Sequence, residues 1–127
     1  MMRVYIDFTE VPIMVPPIEG ASREVGACLE FQGIVREMEG GRALSGLQYE
    51  AYEPMARVQL TRIFEDLRLA HPCEAVVFIH RLGWVPVGEV SLFLRVLAAH
   101  RGEALKFCEL AINRMKADVP IWKAASK

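Results

Sequence analysis

The chain has 127 residues, 53 % of them hydrophobic and 24 % charged, with 15 Lys+Arg against 16 Asp+Glu for a net charge of −1. That length and balance fit one globular domain over residues 1–127 and exclude a disordered or low-complexity chain. A near-neutral charge argues against a general nucleic-acid binder, which carries a strongly basic footprint.

Residues 2–8, MRVYIDF, set Val4, Ile6 and Phe8 against Arg3, Tyr5 and Asp7. That alternation predicts a half-buried strand. VPPIEG breaks it, and GACLEFQGIVRE then alternates Ala27, Leu29, Phe31 and Val35 against Glu30, Gln32 and Arg36, a second strand. EMEGGR reads as a flexible connection. LSGLQYEAY resumes the alternation, so the strands on either side of EMEGGR are expected to form a long hairpin.

From Pro54 the period changes to three and four, with Ala56, Leu60, Ile63, Phe64, Leu67 and His71 on one side. This predicts an amphipathic helix that Pro54 opens and Pro72 stops. EAVVFIHRLG and EVSLFLRVLAA read as two deeply buried strands. In HRGEALKFCELAINRMKADV the stripe Ala104, Cys108, Ala111, Ile112 and Met115 predicts a second helix, which must end before Pro120. Strands and helices do not alternate strictly, so the expected class is α+β, with a mostly antiparallel sheet and two main helices.

The three cysteines, Cys28, Cys73 and Cys108, form no CxxC. They read as core fillers or inert thiols, with no disulfide framework, no metal site and a reducing compartment. The N-terminal stretch carries Asp7 and Glu10 where a signal peptide would be apolar, and no membrane span is expected, which makes the cytoplasm the expected location. Met55 and Met115 read as core residues.

The C-terminal third is locally basic and could attract a small anion. His80-Arg81 closes a strand; a partly buried, hydrogen-bonded imidazole beside a surface arginine is the simpler reading. His100-Arg101 sits where a strand hands over to a helix, and helix-start N–H groups with an adjacent arginine can clamp an anion. Arg36 enters the Gly-rich loop, where a closing segment would bring it over a ligand. Lys116 lies in the last turn of its helix and either opposes the negative helix end or presents an amine for chemistry. Lys123 follows PIW, an extended apolar segment expected to be pinned to the body of the protein.

Together, FQGIVRE, LQYEAYEPMA, IHRLGWVPVGE, AAHRGEAL and MKADVPIWK, in this order from about Gly26 to Lys123, resemble the catalytic (large) subunit of molybdopterin synthase. The resemblance implies an α+β fold with a hammerhead-like subdomain. It implies a sulfurtransferase that converts a cyclic pyranopterin monophosphate into molybdopterin, with no bound cofactor. Sulfur would arrive as a thiocarboxylate on the C-terminal Gly-Gly of a small ubiquitin-like carrier, in an assembly built on a catalytic-subunit homodimer within a heterotetramer. By motif, Lys116 and Lys123 take the catalytic places, Arg36, His100 and Arg101 the substrate-binding places, and Phe31 and Met115 apolar pocket positions. Many members of that family continue well beyond the second lysine, so a tail contribution to the pocket is expected to be absent or differently supplied. A non-catalytic module that binds the carrier's Gly-Gly tail is the alternative.

Overall fold

A computed structural model describes residues 2–127. In chain order the elements are β1 (Arg3–Thr9), β2 (Ala27–Ile34), β3 (Met38–Glu39), β4 (Arg42–Ala43), β5 (Gly46–Ala51), α1 (Glu53–Ala70), β6 (Ala75–Arg81), β7 (Gly83–Pro86), β8 (Val90–Ala98), α2 (Arg101–Asp118) and β9 (Ile121–Ser126). This is the expected α+β arrangement with two helices.

The main sheet has the order β1-β6-β8-β2. β2 and β6 each run antiparallel to β8, while β1 lies parallel to β6, pairing Val4 with Val76 and Phe8 with His80. One face of this sheet meets the buried stripes of α1 and α2. Val76, Phe78, Leu92, Leu94 and Val96 pack there with Leu60, Phe64, Phe107 and Ala111. Phe64, Phe78 and Phe107 stack as tilted pairs with ring centroids 5.9 and 6.3 Å apart, within the favourable range for aromatic contacts.

The opposite face carries an arginine that only its partners make tolerable. Arg95 is 4 % exposed. It bonds Glu30 at 2.6 Å and the Pro16 carbonyl at 2.7 Å, and lies 5.2 Å over the Phe93 ring. The Pro-rich segment after β1 is thereby tied across the sheet, and the buried charge is paired as it must be.

A second sheet, β7-β5-β9, runs antiparallel throughout and has its own small core of Val35, Leu47 and Val85. The long hairpin expected between the second strand and LSGLQYEAY does not form. β2 pairs with β8, β5 pairs with β7 and β9, and only the short β3–β4 hairpin closes between them. Gly40 and Gly41 have φ of +58° and +79°, so they supply the left-handed pair that a two-residue turn requires. Alternation identifies a strand but not its partner, and here a tight turn takes up the residues a long hairpin would have used.

Three smaller expectations are also corrected. Met55 is 43 % exposed on the outer side of α1, although Met115 is core. Cys28 is exposed on the edge strand, so it fills no core. Arg81 is buried, 8 % exposed, and ion-paired to Glu89 at 2.6 Å, so it is no surface base.

A basic cavity between the two sheets

α2 stops where Pro120 denies it another turn. Its C-cap Val119 is extended, with its N–H on the Met115 carbonyl at 3.0 Å, and Tyr52 N–H holds the Pro120 carbonyl at 3.1 Å. The chain then enters β9, which pairs Trp122 with Glu50 and Lys123 with Tyr49. Lys123 is thus fixed by a strand ladder, as its pinned position predicts, and its ammonium is ion-paired with Glu39 of the β3–β4 hairpin. Lys116 occupies the last turn of α2, where a cation complements the negative helix end.

These segments bound a cavity of ≈ 600 Å³, a size usual for small-molecule sites. Phe31 and Arg36 reach it from β2 and the segment after it, Met115 and Lys116 from the end of α2, and Lys123 from β9. Five of the seven residues singled out by the resemblance therefore share one cavity. Met115 is buried in its wall, while Phe31, Arg36, Lys116 and Lys123 are exposed to it. Lys116 and Arg36 make no ion pair with any described residue, whereas Lys123 is held by Glu39. Three cationic side chains against one carboxylate leave the cavity positive, which suits an anionic ligand.

His100 and Arg101 are not among the residues that line it. They cap and open α2 at the far end, both exposed, and fifteen residues of helix at 1.5 Å each put Arg101 about 22 Å from Lys116. The helix start itself falls where the sequence predicts it.

Glu39, Tyr49 and His80 also line the cavity, and sequence reading did not single out their places there. His80 is only 4 % exposed. Its Nδ1 lies 2.8 Å from the Arg81 carbonyl, and its ring meets Tyr49 edge-on with centroids 5.0 Å apart. Burial pushes its pKa down to about 4, with the carbonyl bond opposing weakly, so the imidazole is neutral at neutral pH. The alternation of β6 places residue 80 on the same face as Val76 and Phe78, which signals burial but not a cavity.

No thiol is activated at this site. Cys73 is pushed up to about 12 and Cys108 is raised, each mainly by burial, and none of the three cysteines lines the cavity. Among the described residues no three His, Cys, Asp or Glu side chains are grouped as metal ligands. No helix among them is long and apolar enough to cross a membrane.

The family model described as "MoaE protein" matches residues 7–118. The molybdopterin synthase catalytic subunit of Oryza sativa subsp. indica is 44 % identical over 98 residues, covering 77 % of this chain and 51 % of that protein. The Arabidopsis thaliana subunit is 38 % identical over 119 residues, 94 % of this chain and 54 % of its own length. The chain thus spans about half the length of the curated relatives it matches. Among solved structures, molybdopterin synthase from Staphylococcus aureus superposes with a TM-score of 0.83 at 32 % identity, covering 94 % of this chain and 93 % of that one. A Helicobacter pylori complex of subunits 1 and 2 of molybdopterin-converting factor gives 0.65 at 28 % identity, covering 80 % and 66 %.

Proposed function

Because the chain belongs to the MoaE protein family, we propose that it is the catalytic subunit of a molybdopterin synthase. Acting as one domain, it converts a cyclic pyranopterin monophosphate into the dithiolene molybdopterin with sulfur from a small partner's C-terminal thiocarboxylate. The observation that carries this reading is the convergence of Lys116, Lys123 and Arg36 with Phe31 and Met115 on one cavity. The Helicobacter pylori neighbour is a two-subunit complex, which supports a small partner.

The chemistry brings two anions together, the substrate phosphate and the carrier's thiocarboxylate. In water-poor surroundings their repulsion is several times its value in bulk solvent, and a cavity lined by Arg36, Lys116 and Lys123 offsets it. As the carrier's C–S bond breaks, its acyl carbon keeps one oxygen and takes the second from water; Lys116 stabilises the negative charge on these oxygens, and Lys123, held by Glu39, supports it from the strand side. Phe31 and Met115 supply apolar wall on which a planar ring can rest. The carrier supplies the sulfur, so Cys28, Cys73 and Cys108 have no role in transfer. The reading places the reaction in the cytoplasm, where free thiols persist.

His100 and Arg101 hold substrate phosphate in this reading, yet they lie about 22 Å along α2 from Lys116 of the same chain. A homodimer resolves the distance: each copy's His100 and Arg101 serve the cavity of the other, within a heterotetramer carrying one carrier per catalytic subunit.

The test is Lys116→Ala, assayed with thiocarboxylated carrier and the pterin precursor. Dithiolene product should fall by about a hundred- to a thousandfold, the scale of losing a group that stabilises charge in the transition state. Carrier affinity, measured by calorimetry, should stay within about threefold, since a lone exposed charge contributes little to association. Retained turnover would sink the assignment of Lys116. Carrier binding without product in the unaltered protein would instead favour a non-catalytic module for the Gly-Gly tail.

A further inference from the structure

The cavity pairs three cations with few uncharged side-chain acceptors, namely the Gln32 amide oxygen, the Tyr49 hydroxyl and His80. Arg36, Lys116 and Lys123 can only donate, and Glu39 is engaged with Lys123. The Ser91 hydroxyl already donates to the Gly33 carbonyl at 3.3 Å. A phosphate and a carboxylate would be satisfied by such a lining. A nitrogen heterocycle with ring N–H and amino groups also needs acceptors once water is expelled, and of the uncharged ones His80 is the most rigidly held.

His80 is built to be that acceptor. A carbonyl oxygen cannot donate, so the 2.8 Å contact with Arg81 O requires the proton on Nδ1 and leaves Nε2 with a free lone pair. The ring is held by this bond and by the Tyr49 and Phe78 rings, with centroids 5.0 and 6.3 Å away. Nε2 bonds no described residue although the side chain is 4 % exposed and lines the cavity. Nε2 is not fully enclosed, so water reaches it in the free protein, and a ligand that displaces that water must supply a donor in its place. We propose that His80 is a specificity-determining residue whose Nε2 accepts a hydrogen bond from a ring N–H or amino group of the substrate's heterocycle.

This assignment rests on the pterin reading of the cavity and deepens it. The cations take the phosphate and the carrier's terminus, while His80 reads the ring. A phosphate ester whose ring lacks a donor at that point would leave Nε2 buried and unpaired, and would bind more weakly for that reason.

Two measurements test it on the full chain with thiocarboxylated carrier. The first compares His80→Phe, which keeps a flat ring but has no acceptor, with His80→Gln, which restores one. His80→Phe should raise KM for the pterin roughly tenfold with kcat within about threefold, and His80→Gln should recover part of that loss. An unchanged KM in a folded His80→Phe variant overturns the proposal, and so does a loss that His80→Gln fails to improve. The second needs no variant. In ¹⁵N-histidine NMR of the unaltered protein, adding the pterin precursor should shift the Nε2 resonance and leave Nδ1 protonated. An Nε2 resonance unmoved at saturating precursor overturns the proposal even if both variants misfold. If the unaltered protein neither binds nor turns over the precursor, the functional reading falls and takes this one with it. Turnover with a silent His80 removes only the acceptor.

Discussion

Burial holds His80 at a pKa of about 4 against an ordinary 6.5, because a charged imidazole there would lose its hydration among Tyr49 and Phe78. The sign of the consequence follows from which state binds the proton first. Below pH 6.5 the unfolded chain takes up a proton at this residue that the folded chain refuses until about pH 4. The His80 contribution is therefore fully present above about pH 6.5 and is lost as pH falls toward 4, amounting to about 2 kcal/mol by pH 5. Urea unfolding at pH 7.5 and pH 5 should show that loss in the unaltered protein and little of it in His80→Phe. Equal losses in the two would mean that His80 is not the group responsible. The thiols give a second expectation at this scale. Cys73 and Cys108 are raised by burial and Cys28 lies outside the cavity, so none is poised as a nucleophile. A variant with Cys28→Ser, Cys73→Ser and Cys108→Ala should keep near-normal turnover per folded molecule; its loss without unfolding would count against sulfur supplied by the carrier.

At the scale of elements, β5 holds the site together, since it pairs β7 on one side and carries the β9 strand of Lys123 on the other. Its first residue, Gly46, is there because nothing larger fits. A Cβ would stand 2.5 Å from Trp84 Cζ2 and 2.7 Å from the Val85 carbonyl oxygen, which is backbone and cannot swing aside. Gly46→Ala should cost about 1–3 kcal/mol by forcing β5 from β7. Gly102→Ala, in the first turn of α2 with open space around it, should instead be neutral or stabilise by up to about 1 kcal/mol. Thermal melts of the two variants that move in the same direction would refute this contrast. The elements themselves were largely legible: alternation marks β1, β2 and β5, continuous apolar runs mark β6 and β8, and the apolar stripes with Pro54, Pro72 and Pro120 bound both helices. Partnership was not legible. Nothing local to β1 says that it will lie parallel to β6, whose residues follow some seventy positions later. Nothing local to β2 says that β8 will claim it before β5 can. The candidate site divides along the same line. Lys116 and Lys123 stand out because a helix stop and a proline lie between them. The place of His80 at the cavity does not, because a residue at the wall of a cavity and a residue in a core carry the same pattern along a strand; Glu39 lies in a stretch that reads as a flexible connection, and nothing local says that it will reach Lys123 of β9.

At the scale of the whole molecule, the long α2 helix sets a geometric limit. It presents His100 and Arg101 at one end and Lys116 at the other, about 22 Å apart, so one chain cannot bring all three to a single small ligand. If both ends serve the same reaction, the cavity of one copy must be completed by the helix start of another. This distinguishes action within a chain from action between chains by mixing two inactive variants. In a dimer of Lys116→Ala with Arg101→Ala, one cavity carries both defects. The other keeps its own Lys116 and receives the unaltered Arg101 of its partner. Random exchange of equal amounts makes about half of the dimers mixed, with one intact cavity in each, so about a quarter of all cavities should regain activity. Each variant alone has none. Were Arg101 to act within its own chain, both cavities of the mixed dimer would carry one defect and mixing would restore nothing. Native mass spectrometry establishes that exchange has occurred. Mixed dimers without recovered turnover would show that the two ends of α2 do not meet at one cavity, and would leave Arg36, Lys116 and Lys123 to hold both anions unaided.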